Sequence, residues 1–110
     1  MARPKDGESA FKQTVMEFCR SIGAMVEVLP TGTFRGINGQ AVYRFGQNGR
    51  ADLIGAYRGI PIAIETKGAE EYTADQILWG IQWENAGGLW IKAKKIDDVS
   101  KPLLNLALGG

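Results

Sequence analysis

The stretch ADLIGAYRGIPIAIETKG, residues 51–68, reads as two apolar runs around a short turn. Alternation within each run predicts strands near 52–57 and 60–67. Arg58-Gly59 suits the two-residue loop of a hairpin. Paired positions across that loop then sum to 117, which sets Asp52 opposite Glu65. Directly opposed Cβ atoms lie roughly 4.5–5.5 Å apart. Side chains alternate along a strand, so Glu65 and Lys67 share a face with Pro61 and Ala63, while Ile60, Ile62 and Ile64 turn to the core. Two opposed acids destabilise a sheet unless one protonates, a cation such as Lys67 sits between them, or a divalent ion takes both.

Working outward, residues 8–22 read as a helix. Phe11, Val15, Phe18 and Ile22 form one apolar stripe, bordered by Cys19, and Gly23 is a stop signal. Glu8 continues that stripe at its N-terminal end, whereas Glu17 falls on the polar face with Gln13 and Arg20. A stripe packed on the sheet therefore aims Glu8 toward it; a first-turn acid favoured by the helix dipole is the plainer reading. Residues 24–29 and 41–45 read as strands, with PTGTFRGINGQ, residues 30–40, as a loop. Thr73 opens the next helix, with Gln76 at capping-box spacing, and Gly87-Gly88 ends it. LWIKA, residues 89–93, is a last strand. Asp97-Asp98 and Pro102 suit the starts of short helices. The expected order is α-β-β-β-β-α-β-α: one α/β domain over residues 1–110, with a small mixed central sheet flanked by helices.

Composition narrows the chemistry. The chain has 110 residues, 45% hydrophobic and 23% charged, enough for one modest core. It has no histidine and one cysteine, Cys19. That excludes triad chemistry through histidine, an internal disulfide and multi-cysteine zinc sites. Any metal must take oxygen ligands, which points to Mg²⁺, Mn²⁺ or Ca²⁺. MARPKDGES has no apolar core, so no signal peptide is expected, and no apolar run is long enough to span a membrane. Charge is uneven: residues 1–58 carry eight Lys or Arg against five acids, and residues 59–110 carry five against seven. Arg35, Arg44, Arg50 and Arg58 cluster in the loop-rich part beside Asp52. Such a segment can meet a phosphate backbone, or be a solvated face.

Asp52, twelve residues, then Glu65-Thr66-Lys67 resembles the PD-(D/E)xK nuclease motif. The run YRFGQNGRADLIGAYRGIPIAIETKG, with TADQ on a helix and AGGLWIKAKKIDDV beyond it, resembles the VRR-NUC branch, the virus-type replication-repair nucleases. The likeness runs from residue 8 to about 99. It implies a restriction-endonuclease-like core and a stand-alone domain of the kind found in phages, acting in the cytoplasm of a bacterial host. It implies metal binding by Glu8, Asp52 and Glu65 with the Thr66 carbonyl, and Mg²⁺ or Mn²⁺ as cofactor. Lys67 matches the motif lysine and Gln76 a glutamine on the following helix, so Asp52, Glu65, Lys67 and Gln76 are the catalytic candidates. Ala51 stands where the motif carries proline. The implied activity is metal-dependent hydrolysis of phosphodiesters in DNA, branched DNA such as four-way (Holliday) junctions in particular. Arg35, Arg44 and Arg50 are the candidate DNA contacts.

Trp79 and Trp83 lie one turn apart on a helix apolar on most sides, a pattern of core or interface. With the leucine-rich tail they suggest a homodimer. Two rivals stand beside the enzyme: a DNA-junction-binding module with a vestigial metal site, and an interaction protein in which Asp52, Glu65 and Lys67 form a salt-bridge cluster.

Overall fold

The computed structural model describes residues 7–28, 32–35, 42–45, 49–66 and 71–109, with side-chain surroundings for 10–28, 49–66 and 71–109. Its elements are α1 (Gly7–Ser21), β1 (Met25–Val28), β2 (Gly32–Arg35), β3 (Val42–Phe45), β4 (Leu53–Tyr57), β5 (Ile60–Thr66), α2 (Ala74–Asn85), β6 (Leu89–Ala93) and α3 (Asp97–Ala107). Four strands make one mixed sheet in the order β1-β4-β5-β6, antiparallel except for the parallel pair β5 and β6. β2 and β3 form a separate antiparallel pair. The protein is a small mixed α/β fold with three helices among the described residues.

The hairpin follows its expected register. Leu53 pairs with Ile64 and Tyr57 with Ile60. Arg58 and Gly59 both take positive φ, 52° and 84°, as a type I′ turn requires. The twist of that turn matches the strands it joins, so two residues suffice.

Two expectations are corrected. The segment expected as loop contains β2, so five strands, not four, precede α2. Thr33 and Phe34 favour extended backbone, and pairing with β3 supplies the hydrogen bonds that a four-residue strand flanked by glycines lacks alone. Asp97-Asp98 and Pro102 belong to one helix, with Pro102 inside it.

The sheet buries both faces. On one, Val15, Met16 and Cys19 of α1 meet Leu53, Ile62, Ile64 and Ile91, closed by Val99 and Leu103 of α3. Leu53, Ile62, Ile64 and Leu103 are fully buried, each worth roughly 1.5–3 kcal/mol of transfer free energy. Burial pushes the Cys19 thiol up to about 11, which leaves it a small core hydrophobe. On the other face, Trp79 of α2 covers Ala51 and Ala63, with Ile54, Trp83 and Trp90 around them. Trp79 and Trp83 stack with ring centroids 5.0 Å apart. α2 lies close because Gly80 meets the Trp90 ring, where any Cβ would overlap. No described helix is long and apolar enough to cross a membrane.

Candidate functional site

β5 and β6 run parallel, and their C-terminal ends meet the N-terminal end of β4 at one edge of the sheet. Ends of parallel strands are where open α/β sheets present ligand-binding groups. Asp52, Glu65 and Thr66 all sit there.

Glu65 is 6% exposed, one of two buried polar residues beside the core among those described. It follows Ala63 in the alternation and so faces α2. Gln76 Nε2 donates to Glu65 Oε2 at 2.9 Å. The same Gln76 completes the capping box. Its backbone N–H donates to Thr73 Oγ1 at 3.2 Å, and its Oε1 accepts from the Thr73 N–H at 2.8 Å. Helix cap and carboxylate anchor are thus one side chain, fixed at both ends.

Asp52 is held differently. The β4 ladder ends at Leu53, and the chain bends at Asp52. Thr66 donates twice to its carboxylate: the backbone N–H to Oδ1 at 3.1 Å and Oγ1 to Oδ2 at 2.5 Å. Lys12 of α1 pairs with Oδ2 at 3.3 Å. Thr66 follows Ile62 and Ile64 in the alternation, so Asp52 is engaged on the α1 side of the sheet. Asp52 and Glu65 thus meet different neighbours where their strands end together. The register holds as far as Leu53, and Asp52, at the bend before it, is bound by Thr66 and Lys12, whose cation offsets the like-charge opposition.

Tyr72, just before the Thr73 cap, closes the rim. Burial first, and then the charges of Glu65, Asp98 and Asp52, raise its hydroxyl to about 12. Its Oη is buried with no hydrogen-bond partner among the described residues. Lys92 is the register partner of Glu65 on β6, and Lys92 Nζ lies 6.0 Å from the centre of the Tyr72 ring.

Of the expected site residues, Asp52, Glu65, Thr66 and Gln76 come together at this edge. Lys67 lies outside the described residues. Glu8 lies in the first turn of α1 and Arg35 and Arg44 lie in β2 and β3, with side chains outside the description. Arg50 is half-buried, two residues before Asp52. Lys12, Tyr72 and Lys92 were not singled out in the sequence. Lys12 had a signal, since it lies three residues before Val15 and borders the apolar stripe. Lys92 enters only through the parallel register of β5 with β6, which no local pattern encodes.

The donors suit a hard cation in type: two carboxylates and backbone carbonyls, with neither sulfur nor imidazole. Among the described residues no three Asp, Glu, His or Cys gather closely enough to hold a metal. A third carboxylate would have to come from outside that set, as Glu8 would. The chain matches no protein-family model and no curated protein in sequence comparisons.

Proposed function

We propose that the protein is a metal-dependent DNA nuclease with a restriction-endonuclease-like core, a VRR-NUC-type member of the PD-(D/E)xK superfamily. The observation that carries this reading is the hairpin register, which delivers Asp52 and buried Glu65 to the ends of neighbouring strands. A buried acid retained beside a core is costly unless it has a use.

Asp52, Glu65, the Thr66 carbonyl and Glu8 would hold Mg²⁺ or Mn²⁺. The ion supplies Lewis acidity toward water and toward the phosphoryl oxygens. The chain's own groups set the geometry. Gln76 holds Glu65 in one orientation from a helix end that is itself capped. Thr66 orients Asp52 through two hydrogen bonds. Lys67 is assigned the attacking water or a non-bridging phosphate oxygen. Arg35, Arg44 and Arg50 are assigned the DNA backbone. The substrate is DNA, branched DNA such as four-way junctions in particular, and a homodimer would supply two cuts.

One observation favours the second reading, a DNA-junction-binding module that does not cut. Lys12 already neutralises Asp52, as it would in a site that no longer takes a cation. An end-labelled four-way junction and its matched linear duplex, each with Mn²⁺ or EDTA, separate the two. Metal-dependent cutting by the wild type that is lost in Asp52→Ala supports the nuclease. Tight junction binding without cutting selects the binding module.

A further inference from the structure

Residues 92–101 carry four lysines, Lys92, Lys94, Lys95 and Lys101, against two acids, Asp97 and Asp98. Asp98 is committed to the backbone: its Oδ2 accepts from the Lys94 N–H at 2.8 Å and the Lys95 N–H at 3.1 Å. The Lys94 hydrogen bond leads in holding this carboxyl below its ordinary range, with help from the Lys95 hydrogen bond and the charges of Lys95 and Lys101. Neither Lys92 nor Lys94 is in an ion pair among the described residues. Both lie against aromatic rings instead. Lys92 Nζ is 5.3 Å from the centre of the Trp90 ring and 6.0 Å from that of Tyr72, and Lys94 Nζ is 5.6 Å from that of Tyr72.

Attraction to a ring face holds an extended lysine stem while its ammonium stays in water. Both lysines are exposed. They stand at the C-terminal end of β6, beside Glu65 on β5. Phosphate approaching Asp52 and Glu65 meets repulsion, and two ammoniums on the same rim offset it. The buried hydroxyl of Tyr72, whose ring both lysines approach, is a further donor without an acceptor among the described residues.

We propose that Lys92 and Lys94, propped on Tyr72 and Trp90, form a phosphate-binding ridge that seats a DNA backbone beside the Asp52–Glu65 edge. The identity of the ligand rests on the nuclease reading; the ridge itself rests on the lysine–ring geometry. This surface is separate from the arginines expected from the sequence.

The test is fluorescence anisotropy with labelled duplex and four-way junction in EDTA, across 50–200 mM NaCl. It compares wild type, K92A/K94A, K92R/K94R and K101A. Each phosphate contact contributes about 0.9 to the slope of log affinity against log salt on duplex DNA. K92A/K94A should lose about two from that slope and bind both DNAs more weakly while keeping the wild-type circular dichroism spectrum. K92R/K94R should retain binding, and K101A should bind nearly as the wild type. Wild-type affinity and slope in K92A/K94A would overturn the ridge, while cutting by that variant would leave the nuclease standing. A loss in K101A as large as in the double variant would also overturn it. A wild type that neither binds nor cuts DNA would remove the nuclease reading and the ridge together.

Discussion

Asp52 and Glu65 end neighbouring strands, yet the protein holds them in different ways. Glu65 is buried on the α2 side and anchored by a neutral amide that a helix cap immobilises. Asp52 is part-exposed on the α1 side, held by Thr66 and matched by the Lys12 ammonium. A neutral amide donates to Glu65, whereas an ammonium lies against Asp52. The pair thus combines a buried, amide-bonded anchor with a part-exposed, ion-paired one. In the proposed nuclease, a Lys12 that gave Asp52 up to an ion would leave a positive charge beside it for the DNA phosphate.

The largest test of that contrast is chemical. If both carboxylates serve one ion, Asp52→Ala and Glu65→Ala should each lower Mn²⁺-dependent cleavage about a thousand-fold or more, as several kcal/mol of Lewis-acid stabilisation would. Gel-resolved single-turnover rates measure this. A loss confined to one variant would break the pairing.

Smaller effects concern the anchors. Gln76→Ala removes the acceptor for the Thr73 N–H and the donor to a buried carboxylate together, and should cost about 2 kcal/mol in urea unfolding. Thr73→Ala removes the cap alone and should cost about 1 kcal/mol. The two remove opposite halves of the capping box, so a larger cost for Gln76→Ala reports the added loss of the Glu65 contact. On the other side, Thr66→Val removes the hydroxyl bond to Asp52, and should cost about 1 kcal/mol because that carboxylate is already in part solvated. Equal costs for Gln76→Ala and Thr66→Val would erase the contrast between the buried and the part-exposed anchor.

The smallest effect is a pH dependence. Tyr72 is raised from its ordinary 10 to about 12, by burial first and then by Glu65, Asp98 and Asp52. A folded-state pKa above the unfolded one contributes stability that is intact below pH 10 and lost as pH rises toward 12. Urea midpoints of the wild type should therefore fall more steeply over that window than those of Tyr72→Phe. The gap should stay under about 1 kcal/mol, since solvent screens the rim. Parallel alkaline limbs would remove Tyr72 from the neighbourhood of the acids.

The sequence carried the local parts of this arrangement further than the non-local ones. Alternation and a two-residue loop were enough for the β4–β5 register, because a tight hairpin leaves no slack between turn and pairing. The Thr73–Gln76 spacing announced the cap for the same reason. The bend at Asp52 was hidden, since it depends on Thr66 offering two donors from the next strand. β2 was hidden because glycines on either side outweighed Thr33 and Phe34 in composition. Lys92 beside Glu65 depends on a parallel pairing that spans a helix, and nothing local to either strand sets it. Lys12 faces Asp52 only once α1 lies on the sheet.

The central question is whether one cation joins the two acids. Titration of Mn²⁺ by calorimetry into wild type, Asp52→Asn, Glu65→Gln and Lys12→Met measures it without DNA. The expected result is binding in the wild type that is lost in both acid variants. In Lys12→Met binding should tighten about two- to five-fold, the value of a part-exposed ion pair that no longer has to be broken. No heat in the wild type, or unchanged binding in Glu65→Gln, would contradict a shared site at this edge of the sheet.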